Sequence, residues 1–172
     1  MAAPSTHLVL ASKSISRRHI LEHAGVLFDW VDADIDEDEI KKQGLANQLS
    51  TDDIALKLAH AKAERIFDKN QDALVLGCDQ ILVCDGDIYD KPVDMNQARE
   101  HLIRFRGRTH HLISAMTLLQ SDDEPWRCCD HATLTVRDIS EASLDEYLKS
   151  EGDRIFSSVG GYHVEGSGSQ TF

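Results

Sequence analysis

The sequence predicts a single domain, residues 1–172, of mixed α/β layers in which a sheet is flanked by helices. Three observations predict it. A chain of 172 residues can bury one substantial core but not two ordinary ones. Short apolar runs of strand length alternate with segments of helical period. Two strand-like runs follow each other late in the chain, which argues for a mixed rather than purely parallel arrangement.

The elements follow in order. THLVLAS is a short apolar run ending in small polar residues and reads as a buried first strand. SRRHILEHAG places apolar residues at Ile20, Leu21 and Ala24 and stops at Gly25, a helix C-cap. VLFDWVDADID alternates like a strand and runs into the acidic segment DADIDEDE, residues 32–39, for which a solvated loop is the plain expectation. A longer helix starts from a cap at Ser50 or Thr51, carries Asp52 and Asp53 in its first turn, and reaches about Phe67. ALVLG forms a strand closed by Asp79, QILVC a second run, and Asp85-Gly86 a turn. Asp94 caps a further helix, with Gln97 completing a capping-box-like pair and Gly107 ending it. HLISAMTLL and WRCCDHATLTVRD read as strands joined by SDDEP, and Ser140 starts a last helix. The glycine-rich VGGYHVEGSGSQTF fits a loop or a strand.

Composition excludes several classes. The chain is 41% hydrophobic and 28% charged, a globular balance, and no apolar run approaches the ~18 residues of a membrane span. MAAPSTHLVLAS has no basic leader region, so a cytoplasmic location is expected and no membrane partner. The net charge of −12 would repel nucleic acid, so no nucleic-acid partner is expected and any anion must meet a local positive site. Cys78, Cys84, Cys128 and Cys129 form no C-x-x-C pair and read as reduced thiols, most of them in the core.

Three features sit where simple rules would not put them. Arg17 and Arg18 occupy the start of a helix, where the dipole disfavours a cation by about 0.3–1 kcal/mol. A polyanion docked on Ser12, Ser14, the backbone N–H groups and the guanidinium forks would explain them; pairing with surface carboxylates is the plain alternative. Lys62 is the second. Stepping ~100° per residue from Ile54 puts Leu58 near ~40°, Ala55 near ~100° and Ile66 near ~120°, with Lys62 at ~80°, in the middle of the apolar face. Such a lysine either snorkels to water or meets an anion. The third is Asp79, a carboxylate directly after an apolar strand. Strand ends in α/β sheets are where ligand crevices form, and a desolvated carboxylate there needs a cation such as Lys62, Lys91 or a divalent metal; capping a turn is the alternative.

Anion-binding cations beside carboxylates able to hold a hard metal ion are the parts of phosphoryl chemistry assisted by magnesium or manganese. The sequence has no Walker A loop, G-x-S-x-G, H-E-x-x-H or G-x-G-x-x-G. His110 and His111, adjacent in a strand, would point to opposite faces.

The opening LASKSISRRHILEHAG, the DADIDE segment, the LAHAKA helix, GCDQILVCDGDIYDKP, AREHLIRFRGRTHHLISAM and GGYHVEG, in that order, resemble the Maf family of nucleoside triphosphate pyrophosphatases. The resemblance spans essentially the whole chain. It implies a Maf/inosine-triphosphatase-like fold, a twisted mixed sheet with helices in two lobes around a cleft. It implies cleavage of a nucleoside triphosphate to the monophosphate and pyrophosphate, a divalent metal cofactor (magnesium or manganese), and a link in bacteria to septum formation. A second copy of the chain, as a homodimer, is a candidate partner. By the same resemblance Ser12, Arg17 and Arg18 match the phosphate-binding opening loop, Glu37 the acidic loop position, Lys62 the helix lysine of A-x-x-K-A, Lys91 the K-P lysine, and Asp79 the general base or metal ligand. Catalytic roles are therefore expected for Asp79, Lys62, Lys91 and Arg17, and metal binding for Asp79 and Glu37.

Asp79-Gln80 together with Glu165-Gly166 is similar to the branch that acts on 7-methyl-GTP, whereas a branch with Asp-Thr favours pyrimidine triphosphates such as dTTP and UTP. Gln80 and Glu165 are thus expected to contact substrate, Glu165 by meeting a cationic methylated guanine. A nucleotide-binding regulator of cell division without turnover is the rival reading, and a pyrimidine pyrophosphatase another. Family members usually continue through a further strand and closing helix, so the resemblance implies a fold shortened at its C-terminal side, with core and a strand edge left uncovered.

Overall fold

The computed structural model describes residues 7–121, 123–164 and 168. Strand β1 (Leu8–Ala11) leads into helix α1 (Ile15–His23), whose N-cap Ser14 accepts from the Arg17 N–H and whose end is turned by Gly25 at φ +70°. Strand β2 (Phe28–Val31) follows. Helix α2 (Glu37–Ala46) then begins inside the acidic run expected to be a loop: Asp36 caps it, accepting from the Glu39 N–H at 2.9 Å, and Glu37, Asp38 and Glu39 fill its first turn. Like charges that would repel in a free loop complement the positive end of the helix dipole.

Helix α3 (Thr51–Phe67) is capped by Ser50, as the sequence predicts. Strand β3 (Leu74–Cys84) is one continuous strand through Asp79, not two runs closed at it. Strand β4 (Asp87–Tyr89), helix α4 (Met95–Phe105), strands β5 (Thr109–Leu119) and β6 (Trp126–Thr135), and helix α5 (Glu141–Glu151) complete the regular elements. Asp94 caps α4, and Gln97 accepts in return from the Val93 N–H at 2.8 Å. Two short 3₁₀ segments follow α5, Gly152–Ser157 and Val159–Gly161. Of the glycine-rich stretch expected as loop or strand, Val159–Gly161 forms the second of them, residues 162–164 are irregular, and most of the rest lies outside the described residues.

The sheet order is β2-β1-β3-β5-β6, with β4 paired to β3. β1 is parallel to β2 and β3, in register from Leu8↔Phe28 and Leu8↔Leu74 to Ala11↔Val31 and Ala11↔Gly77; β3 and β4 are antiparallel. The sheet is therefore mixed. The chain groups into two compact units, Met1–Asp79 with Ser114–Asp130, and Gln80–Ile113 with His131–Phe172. The first packs Val9, Ala11, Ala63, Ile66, Val75 and Leu119 into its core. The second packs Leu82, Leu102, Phe105, Val136, Leu144 and Ile155 into its own. Among the described residues no helix is long and apolar enough to cross a membrane.

Candidate active site

Helix α3 turns Ile54, Ala55, Leu58, Ala59, Lys62, Ala63 and Ile66 inward, the face on which the helical period places Lys62. Gly77 sets how closely β3 meets that helix. A Cβ there would come within 2.0 Å of the Ala59 carbonyl oxygen and 2.7 Å of the Ala63 nitrogen, so only glycine permits the backbone approach. Two residues further along β3, Asp79 faces Lys62.

Lys62 Nζ donates to Asp79 Oδ1 at 2.6 Å and lies 2.8 Å from Glu37 Oε1. Lys62 and Asp79 are 8% and 7% exposed, so both charges have left water and depend on each other. Lys62 does not snorkel, and Asp79 does not cap a turn. Glu37 reaches the ammonium from the first turn of α2, and Gly44 makes that approach possible, since a Cβ there would strike Ile54 Cγ1 at 2.6 Å.

β1 pairs with β3 only as far as Ala11↔Gly77. Beyond it the chain turns through Ser12 to Ser14 while β3 continues to Asp79, so the loop opens beside the carboxylate at the carboxyl end of β1. Arg17 reaches back to this loop: its guanidinium donates to the Cys78 carbonyl at 2.8 Å and to Ser12 Oγ at 3.1 Å. Ser12 is buried and also accepts from the Ser14 N–H at 3.2 Å. Burial pushes the neighbouring Cys78 thiol above its ordinary value, against the lowering influence of Arg17 and Lys62. Cys78 thus contributes its carbonyl and not a thiolate.

Arg18 takes another course. Its guanidinium carbon lies 4.1 Å from the centroid of the Trp30 ring, and its Nε is buried without a hydrogen-bond partner. Neither Arg17 nor Arg18 is paired with a carboxylate among the described residues, although the chain holds 30 acidic side chains. Among the described residues, pairing with surface carboxylates, the plain alternative for these two cations, is not adopted.

The structure therefore brings Ser12, Arg17, Glu37, Lys62 and Asp79 together in the first unit, with Arg18 on Trp30. Gln80, half-buried next to Asp79 in β3, and Lys91, exposed between β4 and α4, belong to the second unit. There the Gly160 N–H donates to the Asp90 carbonyl at 3.1 Å, joining the GGY segment to the residue before Lys91. Glu165 and Gly166 lie outside the described residues. Sequence reasoning missed the Cys78 carbonyl and Trp30: a backbone acceptor has no sequence signature, and one aromatic in an alternating strand gives no hint of which cation it faces.

Two carboxylate oxygens converging on one cation, the Lys62 ammonium, form a hard-oxygen donor set of the kind magnesium and manganese prefer. Asp79 and Glu37 supply two oxygens of the kind such an ion takes. All four cysteines are free thiols.

Residues 7–172 match the family described as Maf-like protein. A nucleoside triphosphate pyrophosphatase of Granulibacter bethesdensis is 41% identical over 96% of this chain and 84% of that protein. A 7-methyl-GTP pyrophosphatase of Brucella suis is 42% identical over 96% of this chain and 83% of that protein. Among solved structures, the Staphylococcus aureus Ham1 protein superposes with a TM-score of 0.56 at 15% identity, covering 77% of this chain and 73% of that one, a likeness of fold. The ordered motifs, the fold and a match over nearly the whole sequence agree: this chain belongs to the Maf family.

Proposed function

We propose that this protein hydrolyses a nucleoside 5′-triphosphate to the monophosphate and pyrophosphate, with 7-methyl-GTP or another modified nucleotide as substrate. The observation that carries the reading is the buried Lys62 held between Glu37 and Asp79, the residue after Cys78, whose carbonyl anchors Arg17. A core does not need these charges, since a buried ion pair is often no better for stability than apolar residues of the same volume. A site that sets a phosphate chain beside a carboxylate base and a divalent ion does need both signs of charge.

Water attacks the α-phosphorus and passes a proton to the Asp79 carboxylate as the new P–O bond forms. The bond from the α-phosphorus to the bridging oxygen breaks, and pyrophosphate leaves. Lys62 fixes the Asp79 carboxylate and, with Arg17 and Arg18, stabilises charge on the triphosphate and on the leaving group. Ser12 holds Arg17 in the opening loop. Asp79 and Glu37 would hold a magnesium or manganese ion, which when bound supplies further neutralisation of phosphate charge. Lys91 and Gln80 keep in this proposal the roles the family motifs give them, charge stabilisation and substrate contact. The relatives' names, one of them a 7-methyl-GTP pyrophosphatase, and Gln80 in the position after Asp79 support the methylated-guanine preference over a pyrimidine one.

Pyrophosphate release from 7-methyl-GTP, GTP, UTP and dTTP with magnesium or manganese tests this. Release is expected to be fastest from 7-methyl-GTP and to fall on the order of 10²-fold or more in Asp79→Asn. Near-normal turnover by Asp79→Asn overturns the mechanism, and equal turnover of 7-methyl-GTP and UTP overturns the preference. Nucleotide binding with no release from any triphosphate would leave a binding regulator.

A further inference from the structure

Arg18 differs from Arg17 in what holds it. Its guanidinium lies over Trp30, it has no carboxylate partner among the described residues, and its Nε is buried without an acceptor. Trp30 itself is not a core residue. It is 47% exposed on β2, an edge strand of the sheet, opposite Leu10 in the register with β1. β1 carries the chain from Leu10 directly to Ser12, and α1 carries Arg18 next to Arg17. The indole thus stands beside the phosphate-binding opening loop while contributing little to the packing of its own unit.

A guanidinium whose carbon sits over a ring is held through its charge and not through its N–H donors, so those on the two terminal nitrogens stay available to another partner. A salt bridge to one of the many surface carboxylates would consume those donors and cancel the charge. A free arginine would lose rotamer freedom each time it met a phosphate. Stacking on Trp30 avoids both losses.

We propose that Trp30 is a positioning residue for polyphosphate binding: it holds the Arg18 guanidinium over its ring so that the N–H groups of the terminal nitrogens remain open to phosphate oxygens. This rests on the reading of the opening loop as a triphosphate site. It assigns Trp30 no contact with the base, so its effect passes entirely through Arg18.

Calorimetric binding of inorganic tripolyphosphate, which has no base, tests the proposal on the intact chain. Trp30→Ala is expected to weaken binding about three- to fivefold, the size of an exposed cation–π contact. Trp30→Phe, which keeps a ring face, is expected to restore it to within about twofold. In an Arg18→Ala background, Trp30→Ala should produce no further loss. In turnover assays kcat/KM should fall by at least the same factor, and Trp30→Phe should restore it. Unaltered tripolyphosphate binding by Trp30→Ala overturns the proposal, as does an equal loss in the Arg18→Ala background or an effect seen only with nucleotides. If no nucleotide is hydrolysed but the tripolyphosphate pattern holds, the enzymatic reading fails and the role of Trp30 stands.

Discussion

The two units bury polar groups in opposite ways. In the first, Lys62 and Asp79 meet as charges. In the second, His110 and Tyr162, 0% and 3% exposed, meet as neutral groups at 2.6 Å. Burial lowers the His110 pKa to about 4, helped by neighbouring His111. Burial also raises that of Tyr162. His110 further stacks on Phe105, with ring centroids 5.2 Å apart. Desolvation has neutralised the second pair, the ordinary fate of an ionisable group inside a core. The first unit instead sets one ammonium between two carboxylates, Asp79 at 2.6 Å and Glu37 at 2.8 Å. The contrast separates a core that tolerates polar groups from a site that requires ions.

Lys62→Met should break this comparison most severely. It leaves Asp79 buried without its cation, at a cost of about 3–5 kcal/mol, read as a lowered midpoint in urea unfolding. The companion variant Lys62→Met/Asp79→Leu should recover most of that loss while remaining inactive. Recovery of stability without activity would show that the charges serve chemistry and not the fold; failure to recover would show the opposite.

Gly77→Ala should be next. The added methyl meets backbone atoms of α3, which cannot rotate away, so a loss of about 1–3 kcal/mol or more is expected. Because it moves β3 against the helix carrying Lys62, thermal denaturation and turnover should fall together. A stable but inactive Gly77→Ala would sharpen the role of spacing; a stable, fully active one would refute it.

The second unit should answer to pH. His110 has a folded pKa of about 4 against an ordinary value of 6.5. The unfolded chain therefore binds a proton at this group before the folded one does. Its contribution is fully present above pH 6.5 and is lost progressively as pH falls toward 4. Unfolding followed from pH 7.5 to 4.5 should show this slope, and His110→Gln should flatten it. An unchanged slope in that variant would assign the acid sensitivity to other groups.

Much of the site was legible because it breaks local rules. Lys62 is visible from a helical wheel, Arg17 and Arg18 from their conflict with the helix dipole, and Asp79 from its place after an apolar run. The acidic segment was less legible, since a charge run looks the same whether it is solvated or caps a helix. Capping by Asp36 and the draw of Lys62 on Glu37 made it the start of α2. Asp79 closes no strand because β3 goes on to pair with β4 after β1 has ended, a partnering that apolar periodicity cannot express.

The sequence by itself determined the mixed α/β class, the main helix caps and the residues whose chemistry is out of place, because propensity, period and charge act over a few neighbours along the chain. Tertiary structure decided which of those residues meet. It set the spacing of Asp79, Lys62 and Glu37 through two glycines, sent Arg17 to a backbone carbonyl instead of a carboxylate, and laid Arg18 on Trp30. Those choices depend on contacts between segments far apart in sequence, where distance and desolvation, not local preference, fix the free energy.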